Sequence, residues 1–313
     1  MTIQPNPRIN GVLFPGADSF ALRLPAGCGQ VIAVWYDTGT FDTVGGYVNR
    51  RFSLSAYVIE CHASPDDALP GTGWETLLTV TDNRLSTRQH LLDLGGCRWV
   101  RIRFLRFAGT PELRFDIHDA VNGISDSWLF LGDSITACAM VNAWGTSFAE
   151  HIHALDPRFY PVQQNGGIGG LTSREGREHV RGWLAGNPAR FVPVAFGTND
   201  AWGEPNDLGA YEVNIRYMLD AVLEAGKHPV LPTIPFAADR HAGRCTADYN
   251  AVIERLYAAY GDTLLHGPDL YAFFRAEPHL LGEDGVHPSQ DGYEAMRKLW
   301  AETMFRALYT ISI

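Results

Sequence analysis

The sequence predicts an all-β domain followed by an α/β domain built on a parallel sheet. Residues before about Phe115 form short runs rich in β-branched and aromatic side chains, whereas beyond Asp126 such runs alternate with amphipathic helical stretches. Alternating strands and helices are typical of a parallel sheet with helices on both faces. We therefore place a boundary in the link Ile117–Ser125 and predict domains at residues 1–122 and 123–313.

The first domain shows the alternation expected of strands with one wet face. In Trp99–Phe107, apolar residues alternate with arginines over several positions. Side chains of a strand point to opposite faces in turn, so this period of two indicates a half-buried strand. Gly, Pro, Asp and Asn punctuate similar runs at Val31–Tyr36 and Phe52–Glu60, which are also predicted to be strands.

In the second domain, strand-like apolar runs alternate with amphipathic helical stretches. Strand-like apolar runs occupy Trp128–Leu131, Tyr160–Gln164, Phe191–Phe196, Pro229–Pro232 and Thr263–His266. Amphipathic helical stretches occupy Asn142–Ala154, Arg174–Leu184, Leu208–Ala225, Ala247–Tyr260 and Gln290–Ala307. Ligands of open α/β sheets bind beyond the carboxyl ends of the strands, so the loops that follow these runs are where functional residues are expected.

Composition and charge exclude several classes of protein. The formal net charge of -10 argues against nucleic-acid binding, because phosphate contacts need a basic surface. No run approaches the roughly 18 consecutive apolar residues of a membrane helix. No signal peptide is visible, so the chain as written is expected to be cytoplasmic, or secreted if a leader has been removed. The five cysteines form no CxxC pair and favour free thiols. Nothing in the sequence predicts the oligomeric state.

A candidate nucleophile lies where the first strand of the second domain ends. The run Leu129–Leu131 leads through Gly132 and Asp133 into Ser134. A serine at that edge of the sheet would be exposed to a substrate, with its own backbone N–H facing it. Alternatively, Ser134 would only cap the helix that follows. Asp133 is expected to bond to local backbone.

Three later segments supply the other groups that acyl transfer needs. Asn165–Gly170 is glycine-rich, so a backbone N–H can approach a ligand there, although a plain turn is the alternative. Asn199 can donate its amide into a cleft or merely form a turn. Asp284 and His287 stand three residues apart, which lets the carboxylate orient the imidazole and leaves Nε2 as a base. Taken alone, that pair could also be an ordinary surface loop.

Together the four segments resemble the blocks of the SGNH, or GDSL, hydrolases over roughly Asp126 to Leu308. The matching blocks are GDS at Gly132–Ser134, Asn-x-x-x-x-Gly at Asn165–Gly170, Gly-x-Asn-Asp at Gly197–Asp200 and Asp-x-x-His at Asp284–His287. The α/β-hydrolase motif GxSxG is absent. The resemblance implies a flavodoxin-like, doubly wound parallel sheet.

The resemblance also assigns roles to individual residues. It implies that Ser134 is the nucleophile and that Asp284 and His287 complete a catalytic triad. It implies an oxyanion hole formed by the N–H groups of Ser134 and Gly170 and by the side chain of Asn199. No metal and no organic cofactor is expected.

The first domain resembles the discoidin or galactose-binding-like jelly roll. The residues that carry this resemblance are Tyr57–Ser64, Trp74–Leu78 and Cys97–Phe104. Such domains often bind sugars, while many are only structural. We therefore expect an all-β jelly roll that either presents a carbohydrate or supports the catalytic domain.

These expectations lead to a serine carboxylic-ester hydrolase that acts on short-chain acyl esters, with acetylated carbohydrate favoured. Trp202, Trp144 and Asp133 are the candidate substrate-binding residues. One alternative is a general aryl or short-chain esterase, a thioesterase or a lysophospholipase with a purely structural first domain. Another is a non-catalytic carbohydrate-binding protein. The expected partner is a small-molecule or carbohydrate ester, and neither nucleic acid nor a membrane is expected to bind.

Overall fold

An all-β half precedes a half in which strands alternate with helices. The computed structural model describes residues 3–37, 46–47, 54–109, 113–141, 145–202, 207–239 and 245–309. In these residues, the strands of the first half are β1 (Val12–Pro15), β2 (Ser19–Arg23), β3 (Gln30–Asp37), β4 (Leu54–His62), β5 (Glu75–Val80), β6 (Thr87–Asp93), β7 (Trp99–Phe107) and β8 (Leu113–Asp119).

The strands of the first half form two antiparallel sheets around one core. Their orders are β1-β2-β7-β4-β5 and β6-β3-β8. The strand predicted at Trp99–Phe107 is confirmed as β7, with Val100 and Ile102 buried in the core between the sheets. The intervening Arg101 and Arg103 lie on the outer face, where both form ion pairs with Glu60 of β4.

The second half contains the remaining described strands and helices. They are β9 (Ser127–Gly132), α1 (Ser134–Ala139), α2 (Phe148–Leu155), β10 (Val162–Gly167), α3 (Ser173–Leu184), β11 (Phe191–Ala195), α4 (Leu208–Glu224), β12 (His228–Leu231), α5 (Thr246–Tyr260), β13 (Leu265–His266), α6 (Leu270–Ala276) and α7 (Gln290–Leu308). The strands pair in the order β10-β9-β11-β12-β13, and every pair is parallel. The predicted α/β class with a parallel sheet is therefore confirmed.

Helices cover both faces of the parallel sheet. Trp128 and Phe130 of β9 pack with α1, α2, α6 and α7, whereas Leu129 and Leu131 pack on the opposite face with α3, α4 and α5. This alternation explains why β9 is apolar throughout, since both of its faces are buried. No helix in the described part of the chain combines the length and apolarity needed to cross a membrane.

The helix predicted from Asn142 begins later, at Phe148. Residues 142–144 lie outside the described residues, and Ser147 caps the helix. Its hydroxyl accepts from the backbone N–H of Glu150, whose carboxylate accepts from the backbone N–H of Ser147. This reciprocal capping box fixes the start of the helix more strongly than the apolar stripe that was used to predict it.

One asparagine fixes the link between the two halves. The side chain of Asn6 donates to the backbone oxygens of Asp119 and Gly123 and accepts from the backbone N–H groups of Ser125 and Asp126. All four bonds are between 2.8 and 2.9 Å long. The first residues of the chain therefore hold the segment that joins β8 to β9 in one conformation.

Candidate active site

Ser134 stands at the junction between the central strand β9 and helix α1. Asp133 is the N-cap of α1, and its side chain accepts from the backbone N–H of Ile135. Gly132 permits the sharp turn, because a Cβ there would lie 2.1 Å from Thr136 Oγ1. The Ser134 side chain consequently emerges at the carboxyl edge of the sheet, where ligands of α/β folds bind.

Three side chains form a continuous hydrogen-bonded path at this edge. Ser134 Oγ lies 2.8 Å from His287 Nε2, and His287 Nδ1 lies 2.6 Å from Asp284 Oδ2. An ionised carboxylate can only accept, so Nδ1 carries the proton and donates it to Asp284. Nε2 is then left to accept from the Ser134 hydroxyl, which is the arrangement required of a general base.

The turn before α7 holds Asp284 ready to orient the imidazole. Its Oδ1 accepts from the backbone N–H groups of Val286 and His287, each over 2.9 Å. Burial acts to raise the pKa of the Asp284 carboxyl, but these bonds and the one from His287 Nδ1 outweigh it and lower the pKa below its usual value. The carboxyl therefore stays ionised at neutral pH and can stabilise a charged imidazolium.

Gly170 and Asn199 follow the two strands that flank β9. Gly170 lies in the turn after β10 with a φ of +80°, a conformation that favours glycine, and no heavy atom lies within 4 Å of where its Cβ would be. Asn199 follows β11, and its Nδ2 donates to Leu171 O over 2.9 Å. Both residues thus belong to the same edge of the sheet as Ser134, and a hydrogen bond joins Asn199 to the turn that carries Gly170.

Asn165 and Asp200, the other polar residues of these blocks, support the loops. Asn165 Nδ2 donates to Ala137 O over 2.8 Å, which holds α1 against β10. Asp200 Oδ2 accepts from Ser173 N over 2.9 Å and so ties α3 to the end of β11. Burial raises the pKa of the Asp200 carboxyl.

Asp133 is buried beneath the nucleophile, and its carboxyl is difficult to ionise. Burial raises the pKa of Asp133 to about 7, although the hydrogen bond from Ile135 N and the nearby His287 act in the opposite direction. Asp133 also lines a small cavity of about 20 Å³ together with Thr136, Thr198 and Ile234. A larger concavity of about 610 Å³, lined by residues of α7 and by Gly145 and Thr146, contains no triad residue.

Trp202, one of the two candidate pocket tryptophans, lies next to the Asn199 turn. Trp202 follows the Asn199 turn and is 53% exposed, with its backbone N–H 3.4 Å from Asn199 O. Its position beside the site leaves its side chain accessible to a ligand. Trp144 lies outside the described residues.

Nothing in the described ranges forms a metal site. No three His, Cys, Asp or Glu side chains there lie close enough together to hold a metal ion.

Gly46 and Tyr47, which contact the loop that carries Gly170, were not predicted from the sequence. No motif marks them, because the residues that they contact in this loop are more than a hundred positions away.

Comparisons with known proteins place the second half among acylhydrolases. The family described as GDSL-like Lipase/Acylhydrolase has a model that matches residues 130–295. No curated protein matches the chain. Among solved structures, an acetylxylan esterase from Geobacillus stearothermophilus is 24% identical, with 58% of this chain and 93% of that chain covered and a TM-score of 0.45. A lipase/acylhydrolase from Enterococcus faecalis is 23% identical, with 60% and 99% covered and a TM-score of 0.49. The range matched by the family model contains Ser134, Asp284 and His287.

Proposed function

We propose that this chain, which belongs to the GDSL-like lipase/acylhydrolase family and is a carboxylic-ester hydrolase, cleaves short-chain acyl esters through an acyl-enzyme on Ser134. The observation that carries the proposal is the path from Ser134 Oγ through His287 to Asp284, with distances of 2.8 and 2.6 Å. A nucleophile, a base and an orienting carboxylate in that order are what acyl transfer requires.

The proposed reaction has two steps that use the same base. Ser134 Oγ attacks the ester carbonyl while His287 Nε2 takes its proton, and Asp284 stabilises the imidazolium. His287 then gives the proton to the departing alcohol. A water molecule, deprotonated by His287, attacks the acyl-enzyme, and His287 returns that proton to Ser134 Oγ as the bond to the acyl group breaks and the carboxylic acid leaves. In both steps the N–H groups of Ser134 and Gly170 and the amide of Asn199 would bind the oxyanion.

We expect a short acyl group because the sequence offers no apolar lid segment suited to a long chain. The small cavity near the nucleophile helix is lined by Asp133, Ile135 and Thr198 but by no residue of the triad, so it does not define an acyl pocket. An acetyl group presents one methyl beyond the carbonyl and needs no such lid. Acetyl esters are therefore the proposed substrates.

The first half of the chain bears on the alcohol part of the ester. We assign residues 1–122 to a separate β domain of jelly-roll type, and the two antiparallel sheets support this assignment. A jelly roll beside an esterase site favours an acetylated carbohydrate as the substrate. The second candidate is a general short-chain esterase whose first half is structural, and it is favoured by the burial of Tyr47 in the core of the second half.

Replacement of the nucleophile tests the proposal directly. Ser134→Ala should lower kcat on an aryl acetate by roughly 10³-fold or more, because members of a triad act as a unit. Ser55→Ala is the matched control, since Ser55 lies in β4 of the first half. Steady-state rates would be measured on proteins with equal melting temperatures. Wild-type activity in a folded Ser134→Ala protein would rule out the acyl-enzyme.

A substrate panel tests the acyl and alcohol parts separately. It would contain aryl acetate, butyrate and octanoate, an acetylated oligosaccharide and an acetyl thioester. The fastest turnover is expected with acetyl esters, and release of acetate from the oligosaccharide is expected if carbohydrate is the natural alcohol. A preference for octanoate would contradict the short-chain proposal.

A further inference from the structure

Two residues of the first half contact the loop that leads to Gly170. Gly46 pairs with Ile168 in an isolated antiparallel bridge, and Tyr47 N donates to Gly167 O over 2.7 Å. These contacts lie at the carboxyl end of β10, the edge strand of the parallel sheet. We refer to Gly46 and Tyr47 together as the clamp.

The clamp is anchored in both halves of the molecule. Tyr47 O accepts from Ser86 N of the first half over 2.8 Å. The Tyr47 side chain is fully buried in the core of the second half, with its ring 6.0 Å from that of Trp183. Gln164 Nε2 of β10 lies 3.5 Å from the Tyr47 hydroxyl. The clamp therefore cannot move without disturbing packing on both sides.

A short series of backbone and side-chain bonds leads from the clamp to both proposed oxyanion donors. Directly after Gly167, Ile168 N donates to Gly132 O over 3.0 Å, and Leu171 N donates to Ile168 O over 3.4 Å to close the turn that contains Gly170. Leu171 O in turn accepts from Asn199 Nδ2. A displacement of Gly167 would consequently shift the Gly170 N–H and the Asn199 amide together.

We propose that the clamp positions the oxyanion hole, so that full catalytic rate depends on the first half of the chain. This inference rests on the proposed function, because it presupposes that Gly170 and Asn199 bind the oxyanion. Donors of this kind act by being fixed in advance where charge develops in the transition state. Clamp residues do not touch the substrate, and they act through the loop that they hold.

Gly46 is the residue at which the clamp can be opened. Its φ is +130°, and a Cβ there would lie 2.2 Å from Gly167 O. Gly46→Ala must therefore push the clamp and the loop apart. Gly27→Ala is the matched control, because Gly27 has a φ of +85° in the same half but no heavy atom within 4 Å of its Cβ position. Both substitutions strain the backbone, and only one of them meets the loop.

The test compares kcat and KM on an aryl acetate for the full-length wild type, Gly46→Ala and Gly27→Ala. A loop displaced by about 1 Å should lower kcat roughly 10- to 100-fold, with KM within about twofold, because the donors act mainly on the transition state. Gly27→Ala should keep the wild-type kcat. Rates would be normalised to the fraction of molecules that an aryl phosphonate titrates, so that partial unfolding does not imitate a slower step.

Each outcome decides the proposal. An unchanged kcat in folded Gly46→Ala, or a fall equal to that in Gly27→Ala, would overturn it. Tyr47→Leu provides a second variant that loosens the anchor without adding a Cβ at position 46. If neither variant folds, the clamp has a purely structural role and the proposal fails. Wild type that hydrolyses no ester, or Ser134→Ala that remains active, would instead overturn the proposed function.

A second, independent inference concerns two thiols in the first half. Cys61 at the end of β4 and Cys97 in the turn before β7 have their Sγ atoms 3.0 Å apart, and both side chains are buried. Burial and the neighbouring thiol raise the pKa of Cys61 to about 12. A disulfide holds its sulfur atoms about 2.05 Å apart, so the two Sγ atoms would have to move about 1 Å closer to each other.

We infer that Cys61 and Cys97 form a disulfide when the chain folds in the presence of a small disulfide such as oxidised glutathione. One cysteine attacks the oxidant and releases one thiol, and the other cysteine displaces the second thiol from the mixed disulfide. The two cysteine protons pass to the two released thiols. The bond would close a loop between β4 and β7 and stabilise the first half.

Counting thiols tests this inference. Full-length protein refolded with oxidised glutathione should show three thiols under denaturing conditions in place of the five cysteines of the sequence, with a mass lower by two hydrogens. It should melt at a higher temperature than the reduced protein, and Cys97→Ser should melt at the same temperature under both conditions. Five remaining thiols, or a bond mapped to any other pair, would overturn the inference.

Discussion

The side-chain amide of Asn199 makes one structural hydrogen bond, and we propose that it also makes a catalytic one. An asparagine amide has two N–H donors, and Asn199 Nδ2 donates to Leu171 O over 2.9 Å. That bond orients the amide plane at the edge of the sheet. The structure thus has a physical means of aiming a donor before any substrate arrives.

Truncation of that amide should slow the chemical step. Asn199→Ala is expected to lower kcat on an aryl acetate by roughly 10²–10³-fold, the usual loss for one oxyanion donor. KM should change little, because the charge develops only in the transition state. Initial rates over a range of substrate concentrations separate the two parameters. An increase in KM alone would mean that Asn199 only binds the ground state.

A second residue-scale effect concerns stability rather than catalysis. Asp126 is fully buried where the two halves join, and its Oδ1 accepts from Trp128 Nε1 over 2.9 Å and from Tyr309 OH over 2.6 Å. Burial raises the pKa of Asp126 to about 7, although these bonds act to lower it. An unfolded aspartate titrates near ~3.9, so between about pH 4 and 7 the folded chain holds this proton more firmly than the unfolded chain does. Stability from this group therefore falls as pH rises through that range.

Asp126→Asn should remove this pH dependence, because the amide oxygen can still accept both bonds and carries no charge. The free energy of unfolding, measured in urea, should be close to that of the wild type near pH 4. Near pH 8 the variant should be the more stable protein. A variant whose disadvantage grows with pH would show that the ionised carboxylate is the stabilising form.

Residue identities at the site could be predicted because they lie in short contiguous blocks. Gly132–Ser134 and Asp284–His287 each contain their own geometric requirement, namely a tight turn into a helix and a carboxylate three residues before an imidazole. Tyr47 has no such local context, and its contacts with Gly167 and Trp183 depend on how the halves pack. Contacts between residues so far apart in the sequence leave no periodic pattern and no motif from which they could be predicted.

At the scale of elements, helix α7 holds the segment after the nucleophile helix in place. Arg297 is 2% exposed in α7, and it donates from Nε to Thr146 O over 2.6 Å and from Nη1 to Ala139 O over 3.1 Å. Its Nη2 lies 2.6 Å from Glu294 Oε2 in the same helix. One buried guanidinium therefore joins α7, the end of α1 and the turn before α2.

Arg297→Met should destabilise the protein without removing any triad atom. The carbonyls of Thr146 and Ala139 would lose the donors that Arg297 supplies and Glu294 one of its partners, at a cost of about 3 kcal/mol in the free energy of unfolding. Lys298→Met is the matched control, because Lys298 is exposed and its ion pair is long, with 4.0 Å between its Nζ and Glu302 Oε1. That exposed pair should contribute less than about 1 kcal/mol. Equal losses in urea unfolding would contradict a special role for Arg297.

Element boundaries were the part of the fold that periodicity predicted least well. Helix α6 at Leu270–Ala276 was not predicted, because seven residues are too few to display an amphipathic stripe. The strand predicted at Thr263–His266 contracts to Leu265–His266, since the residues before it form a short 3-10 turn. Long helices such as α4 and α5 gave several turns of pattern and were predicted to within a few residues.

At the scale of the whole molecule, the first half covers one edge of the parallel sheet. Beyond the clamp, Gln164 Nε2 of β10 donates to Thr87 O of β6 over 3.0 Å, and Gln89 Nε2 of β6 donates to Trp128 O over 2.9 Å. An uncovered edge strand offers free backbone donors and acceptors to other chains. Two domains could be predicted from the change of period, but this docking could not, because it depends on polar side chains far apart in sequence.

Deletion of residues 1–122 should therefore do more than remove a possible sugar-binding surface. The shortened chain is expected to aggregate or to melt at a lower temperature, and to lose activity on aryl acetate as well as on acetylated carbohydrate. Size-exclusion chromatography, thermal melting and both assays would be applied to the same preparation. A monomeric product that retains aryl-ester activity and loses only action on carbohydrate would instead support a sugar-presenting first half.

The bond between Ser134 and His287 joins residues 153 positions apart, and this has a consequence for synthesis on the ribosome. Strands β9 to β13 precede His287 in the chain, so the ribosome synthesises these strands before the base. Domains generally fold as units as they emerge from the N-terminal side. A nascent chain arrested before residue 287 would lack both the base and α7, whose Trp300 packs against Phe130 on one face of the sheet, so neither the core nor the active site would be complete. Ester hydrolysis would therefore begin only after residues 287–308 have been synthesised and have packed against the sheet.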